Sequence, residues 1–247
     1  MITNTTWKKF CETRDRFLLF TDELVKRQPN LLHWEQELAD QRGGPMYRVE
    51  TPVVFNRALE EITPSSTIKM ILVADNPGRI EQAAVNKRYL IGMSGKIADG
   101  FFKKNAELGI NFRSDVIILN KTPIHTPRTG ELLKLRRLGG DSLAADMEEA
   151  QREMASLLFE FHKIFNPVMV WITGYSEMKK GGIFEVYTDA IRESYGRNLK
   201  MREDLFVYRH FSMNQFVIDL KKKALQGEEI ACTLKRIGAA YREKIFE

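Results

Sequence analysis

Four polar clusters in this chain each stand directly behind a short apolar run. Met70–Ala74 (MILVA) is followed by Asp75-Asn76-Pro77-Gly78, and Val116–Leu119 (VIIL) by Asn120. Val168–Ile172 (VMVWI) runs into Thr173-Gly174-Tyr175-Ser176, and Leu205–Tyr208 (LFVY) into Arg209-His210-Phe211-Ser212. An asparagine amide offers a donor and an acceptor side by side, the pair needed to read the edge of a nucleobase. A histidine can donate to an oxygen that gains charge, and oriented donors of that kind are worth about 3–4 kcal/mol each. An amide oxygen can hold a water in place, but it is too weak a base to take its proton. In an open parallel sheet, ligands bind beyond the carboxyl ends of the strands. One sheet would therefore gather Asn76, Asn120, Gly174 and His210 on a single rim.

The elements around these runs are those such a sheet requires. Phe10, Phe17, Leu18, Phe20, Leu24 and Val25 recur at near-helical spacing until Pro29 stops the run. Leu31–Asp40 continues as a second helix before a turn at Arg42-Gly43-Gly44-Pro45, and Thr51-Pro52 opens a third helical stretch through Glu61. Gly95–Leu108 reads as a helix closed by Gly109, and Asp141-Ser142 as the cap of a long helix to about Phe165. Helical patterns over Gly182–Ser194, Asn214–Gln226 and Glu228–Phe246 complete the chain. The stretch Lys121–Gly140 reads as a long, proline-punctuated loop carrying Arg128, Lys134, Arg136 and Arg137, either a solvated excursion or a binding loop. Strands alternating with helices predict a parallel sheet with right-handed crossovers, covered on both faces. The expected fold class is therefore α/β: one three-layer α/β/α domain over residues 1–247 with a central four-stranded parallel sheet. Residues 1–62 form its helical N-terminal segment and about 68–247 its core.

At 247 residues, with 43% apolar and 29% charged side chains, the chain has the composition of an ordinary soluble globule. No run approaches the roughly 18 apolar residues of a membrane span, and the N-terminus lacks the apolar core of a secretory signal. Cys11 and Cys232 match no metal-binding spacing, so a reducing, cytoplasmic setting is expected, without metal or cofactor. The net charge of +5 favours association with polyanions, although many basic enzymes never meet nucleic acid.

The order of the motifs resembles the uracil-DNA glycosylase superfamily. Asp75-Asn76-Pro77-Gly78 is similar to its first motif, in which a strand ends in an N-P-G or D-P-Y turn. Lys87-Arg88-Tyr89-Leu90-Ile91-Gly92-Met93-Ser94-Gly95 resembles the G-x-P-F-V-G-x-S-G stretch of several branches, and Asn120 their base-reading asparagine. Thr173–Ser176 resembles a glycine–serine phosphate loop, and His210-Phe211-Ser212 the H-P-S motif. The five segments span about residues 70 to 214 in the family's order. The resemblance implies a base-excision glycosylase that hydrolyses the N-glycosidic bond of uracil or a 5-substituted uracil in single-stranded or mismatched DNA. The protein would act as a monomer and need no cofactor. Asn76 would position the water, His210 would stabilise the leaving base, and Asn120 would read uracil O4 and N3–H. Asp75 would orient water, support the cationic sugar or, as an ordinary alternative, cap a following helix. Gly78 and Leu90 would line the base pocket. Ser94, Gly174, Ser176 and Ser212 would contact phosphates, and Met213 would fill the gap left by a flipped base.

The departures are specific. Leu90 stands where a stacking phenylalanine is usual, Tyr89 replaces the preceding proline, and Phe211 replaces the proline of H-P-S. Gly78 replaces a bulky tyrosine found in some members, which implies a roomier pocket, and the cysteines of the iron–sulfur branches are absent. Each residue also has a plainer alternative: a backbone-bonded histidine, a self-bonded strand-end asparagine, a core methionine, a β-turn. An adenine methyltransferase N-P-P-Y loop and a phosphate-binding G-K loop fit less well, the latter because its glycine spacing fails. The competing expectation is a catalytically inactive member of the superfamily that binds a nucleobase, nucleotide or DNA.

Overall fold

The computed structural model describes residues 2–42 and 45–247; the expected turn at Arg42–Pro45 includes Gly43 and Gly44, which lie outside the described residues. The four apolar runs form β1 (Met70–Ala74), β2 (Val116–Asn120), β3 (Met169–Thr173) and β4 (Leu205–Tyr208), all parallel, in the order β2-β1-β3-β4. Strands covered on both faces need near-continuous apolar sequence, and every residue of β1 and β2 is buried. Trp171 on one face packs against Phe102 at 5.4 Å and Phe216 at 5.9 Å. These belong to α3 (Met93–Lys104) and α7 (Gln215–Lys223).

The N-terminal helices fall where the spacing placed them. Helix α1 (Asn4–Arg27) is capped by the Thr3 hydroxyl, which accepts from the Thr6 amide, and α2 (Leu31–Asp40) follows Pro29. Helix α4 (Leu132–Phe165) lies against β2, with α1 and α5 (Glu185–Gly196) packed on it. The short α6 (Leu199–Glu203) precedes β4, and α8 (Ile230–Phe246) covers that edge strand. The result is a three-layer α/β/α arrangement around the sheet.

Three local expectations are corrected. Residues 51–56 are not helical: Val53, Val54 and Phe55 are all buried, and Val53 bridges Ile124 antiparallel. Three consecutive buried side chains suit an extended segment held between neighbours, so only Arg57–Glu61 turns, as a 3₁₀ helix. The stretch 121–140 is not a long loop, because burial of Leu132 and Leu135 starts α4 at residue 132. Gly140, at φ 64° and ψ −157°, breaks the helical path just before the expected start at Asp141. Nor does a helix follow Asp75-Asn76-Pro77-Gly78 directly; turns fill the interval until α3 begins at Met93.

Candidate functional site

Register places the chemistry. Ala74 pairs with Asn120, so the next residues, Asp75 and Lys121, stand side by side at the carboxyl ends of β1 and β2. The Lys121 Nζ lies 2.5 Å from Asp75 Oδ1 and also donates to the Thr173 carbonyl at the end of β3. Its ammonium sits 4.9 Å above the Phe184 ring, and its side chain is wholly buried. Asp75 also lies 3.5 Å from the Thr129 hydroxyl. Burial alone would raise Asp75, yet the Lys121 ammonium and His210 beside it hold the carboxyl below its ordinary value. Burial also pulls Lys121 down, with Asp75 opposing. A charged pair is the better description, because the carboxylate 2.5 Å from Nζ and the Thr173 carbonyl both favour the ammonium. The carboxylate is thus spent on lysine and threonine, and the helix-capping role considered for Asp75 is overturned: no helix starts there.

Gly174 closes this pair from β3. It adopts φ 87°, and a Cβ there would fall 2.2 Å from Asp75 Oδ1 and 3.0 Å from Lys121 Nζ. Both reasons exclude a side chain. Gly174 is buried, so its position is explained by packing against the ion pair.

Asn76 is half-buried and firmly oriented. Its Nδ2 donates to the Thr126 carbonyl at 3.0 Å, to the Thr126 hydroxyl at 2.9 Å and to the Pro77 carbonyl at 3.3 Å. Carbonyls only accept, so the nitrogen must face them, and Oδ1 is turned away as the atom able to accept from a water.

His210 is fixed just as definitely. Its Nδ1 accepts from the Ser212 amide at 3.0 Å, which puts the ring proton on Nε2. Burial pushes the imidazole below its ordinary value; Asp75 opposes this and Lys121 reinforces it. The group is therefore a neutral imidazole with an Nε2–H available to donate, two residues beyond the carboxyl end of β4.

Asn120 differs from both. It is 1% exposed, yet neither Oδ1 nor Nδ2 has a hydrogen-bond partner. An orphaned buried amide costs on the order of 1–3 kcal/mol for each unmade bond, so such a group calls for a partner of complementary pattern. The self-bonded strand-end asparagine considered from sequence does not describe it.

The loop from Gly78 to Gly92 is tied together by Glu81. Its carboxylate accepts from the Gly78 amide at 3.1 Å, and the amides of Leu90, Ile91 and Gly92 also stabilise it. Burial outweighs these bonds and pushes it up to about 7. Leu90 is buried at φ 51°, its carbonyl accepts from Arg113, and it presses so closely on α3 that residue 95 must be glycine. Beside Gly78 the space a Cβ would enter is open.

The residues assigned to DNA contact are less uniform. Ser94 is half-buried in the first turn of α3, and Ser176 is exposed after Gly174. The Ser212 amide is committed to His210, leaving only its hydroxyl. Met213 is 79% exposed at φ 50°, so it is not a core methionine. A surface cleft of about 600 Å³ lined by Leu18, Pro52 and Phe55 does not involve residues 75, 76, 120 or 210.

Lys121, Tyr47, Glu81, His125 and Thr126 went unnoticed as site residues in the sequence. Lys121 looked like one more cation of a basic stretch; only the register with Asp75 could have marked it. No protein-family model matches the chain, and no curated protein matches its sequence. No helix among the described residues is long and apolar enough to cross a membrane.

Proposed function

We propose that this protein is a DNA glycosylase that releases uracil or a 5-substituted uracil from single-stranded or mismatched DNA. The observation that carries the proposal is Asn120, a buried amide with both polar atoms unpaired at the carboxyl end of β2, in a parallel sheet whose β1 and β4 lead into Asn76 and His210. A uracil edge presents the complementary acceptor O4 and donor N3–H. Cleavage of the N-glycosidic bond builds positive charge on the sugar and negative charge on the departing base. A neutral His210, fixed with its proton on Nε2, donates to the base O2 as that charge develops and needs no change of protonation. Asn76, its nitrogen held by Thr126, presents Oδ1 to the attacking water and contributes by position. Exposed Met213, in a left-handed turn beside His210, is placed to fill the space of an extruded base.

A second reading is a non-catalytic binder of a nucleobase, nucleotide or DNA. It is favoured by the neutralisation of Asp75 by Lys121, which leaves no free carboxylate at the water position. Incubation with a labelled uracil oligonucleotide, followed by alkaline cleavage, separates the two. The glycosylase gives strand scission that falls about 10²–10³-fold in His210→Ala and is strongly reduced in Asn76→Ala. Binding without scission across a panel of substituted uracils supports the binder and refutes the enzyme.

A further inference from the structure

His125 is wholly buried, takes no part in the chemistry above, and faces the turn that carries Asn76. Its Nδ1 lies 2.8 Å from the Pro77 carbonyl, and its Nε2 lies 3.0 Å from the Tyr47 hydroxyl. A carbonyl cannot donate, so Nδ1 carries the proton and Nε2 accepts from the tyrosine. The Tyr47 ring meets the imidazole edge-on at 5.9 Å and carries Arg79 5.3 Å above its own face. Burial pushes His125 down to about 4, so the ring is neutral in neutral solution. The Pro77 carbonyl thus receives three donors, namely His125 Nδ1, the Thr126 amide at 3.3 Å and Asn76 Nδ2 at 3.3 Å. Residues 125 and 126 together grip the Asn76-Pro77 unit from one side.

We propose that His125 is a positioning residue for Asn76. It pins the Pro77–Gly78 peptide, one residue beyond Asn76, through the Pro77 carbonyl, while Tyr47 donates to Nε2 and satisfies the other ring nitrogen. Without the tyrosine donor the buried Nε2 loses its partner, while the Pro77 carbonyl still holds the proton on Nδ1. The kinetic consequence rests on the glycosylase proposal, whereas the effect on the Asn76 amide does not.

Two substitutions distinguish positioning from space-filling. In His125→Asn the amide nitrogen falls near the place of Nδ1 and keeps the Pro77 bond. In His125→Gln it falls near Nε2 and loses that bond, although glutamine fills more of the volume. Packing alone ranks glutamine above asparagine; the hydrogen-bond role ranks asparagine above glutamine. The Asn76 side-chain amide, followed by ¹⁵N-edited NMR in the whole protein, should keep its shifts in His125→Asn. It should shift and exchange faster in His125→Gln. Imidazole ¹⁵N shifts should show the proton on Nδ1 in the wild type and in Tyr47→Phe alike, since the Pro77 carbonyl alone requires it; a proton on Nε2 overturns the proposal. With a uracil oligonucleotide, His125→Gln should lower kcat about 10- to 100-fold at nearly constant KM, and His125→Asn should recover most of it. An Asn76 amide unchanged in His125→Gln, or glutamine outperforming asparagine, overturns the proposal. A wild-type protein that releases no base refutes the glycosylase alone, and the NMR measurement then decides the role of His125.

Discussion

Replacing Lys121 by methionine tests the centre of the site most directly. The substitution keeps the length and packing of the side chain but removes the ammonium that lies 2.5 Å from Asp75 Oδ1. Breaking a buried ion pair on one side costs about 3–5 kcal/mol, because the remaining charge is stranded away from water. For a chain of this size each kcal/mol moves the midpoint by roughly 2–4 °C, so Tm should fall by roughly 6–20 °C. Asp75 in the wild type is held below its ordinary value. Its contribution is therefore present above the unfolded carboxylate value and lost as pH falls through the lower folded value. In Lys121→Met, burial becomes the dominant influence and raises the carboxyl instead. The variant then has its best stability with Asp75 protonated and loses it as pH rises. Urea titrations at a series of pH values from about 5 to 8 should show the gap between variant and wild type narrowing toward acid. The double variant Asp75→Asn/Lys121→Met should recover much of the loss, which a double-mutant cycle reports as coupling. A Lys121→Met protein within about 1 kcal/mol of the wild type, or a gap that does not change with pH, refutes the ion-pair account.

Two further outcomes follow from the same geometry. Gly174→Ala brings a Cβ to 2.2 Å from Asp75 Oδ1 at φ 87°. Strain of that kind costs about 1–3 kcal/mol before the clash is counted, so chemical denaturation should show a loss larger than for Gly196→Ala, where nothing lies within 4 Å. Glu81 is raised to about 7, so its contribution to stability is fully present below the unfolded carboxylate value and lost as pH rises through about 7. Glu81→Gln should flatten that part of the stability profile, and an unchanged slope between about pH 5 and 8 counts against the role given to the carboxyl.

How far the sequence carried can be judged residue by residue. The four strands were legible because a strand buried on both faces needs an unbroken apolar run, and each run here ends in a polar residue. Asn76, Asn120 and His210 were legible as rim residues for the same reason: a strand end in a parallel sheet has one place to go. The extended course of 51–56 is not legible in the sequence because the partner that holds it, Ile124, is remote along the chain. The helical stripe of Leu132 and Leu135 is short and lies among prolines and basic residues, which hide it in the sequence.

What the sequence decided by itself was the alternation of buried strands and helices and the kinds of polar group left at the strand ends, since both follow from local patterns of apolarity. Folding decided the rest. The burial of Lys121 against Asp75, the direction of the Asn76 amide, the proton on His210 Nε2 and the empty hydrogen-bonding face of Asn120 all depend on neighbours from other strands and loops. Protonation and orientation are set by partners within about 3 Å, and only the tertiary structure brings those partners together.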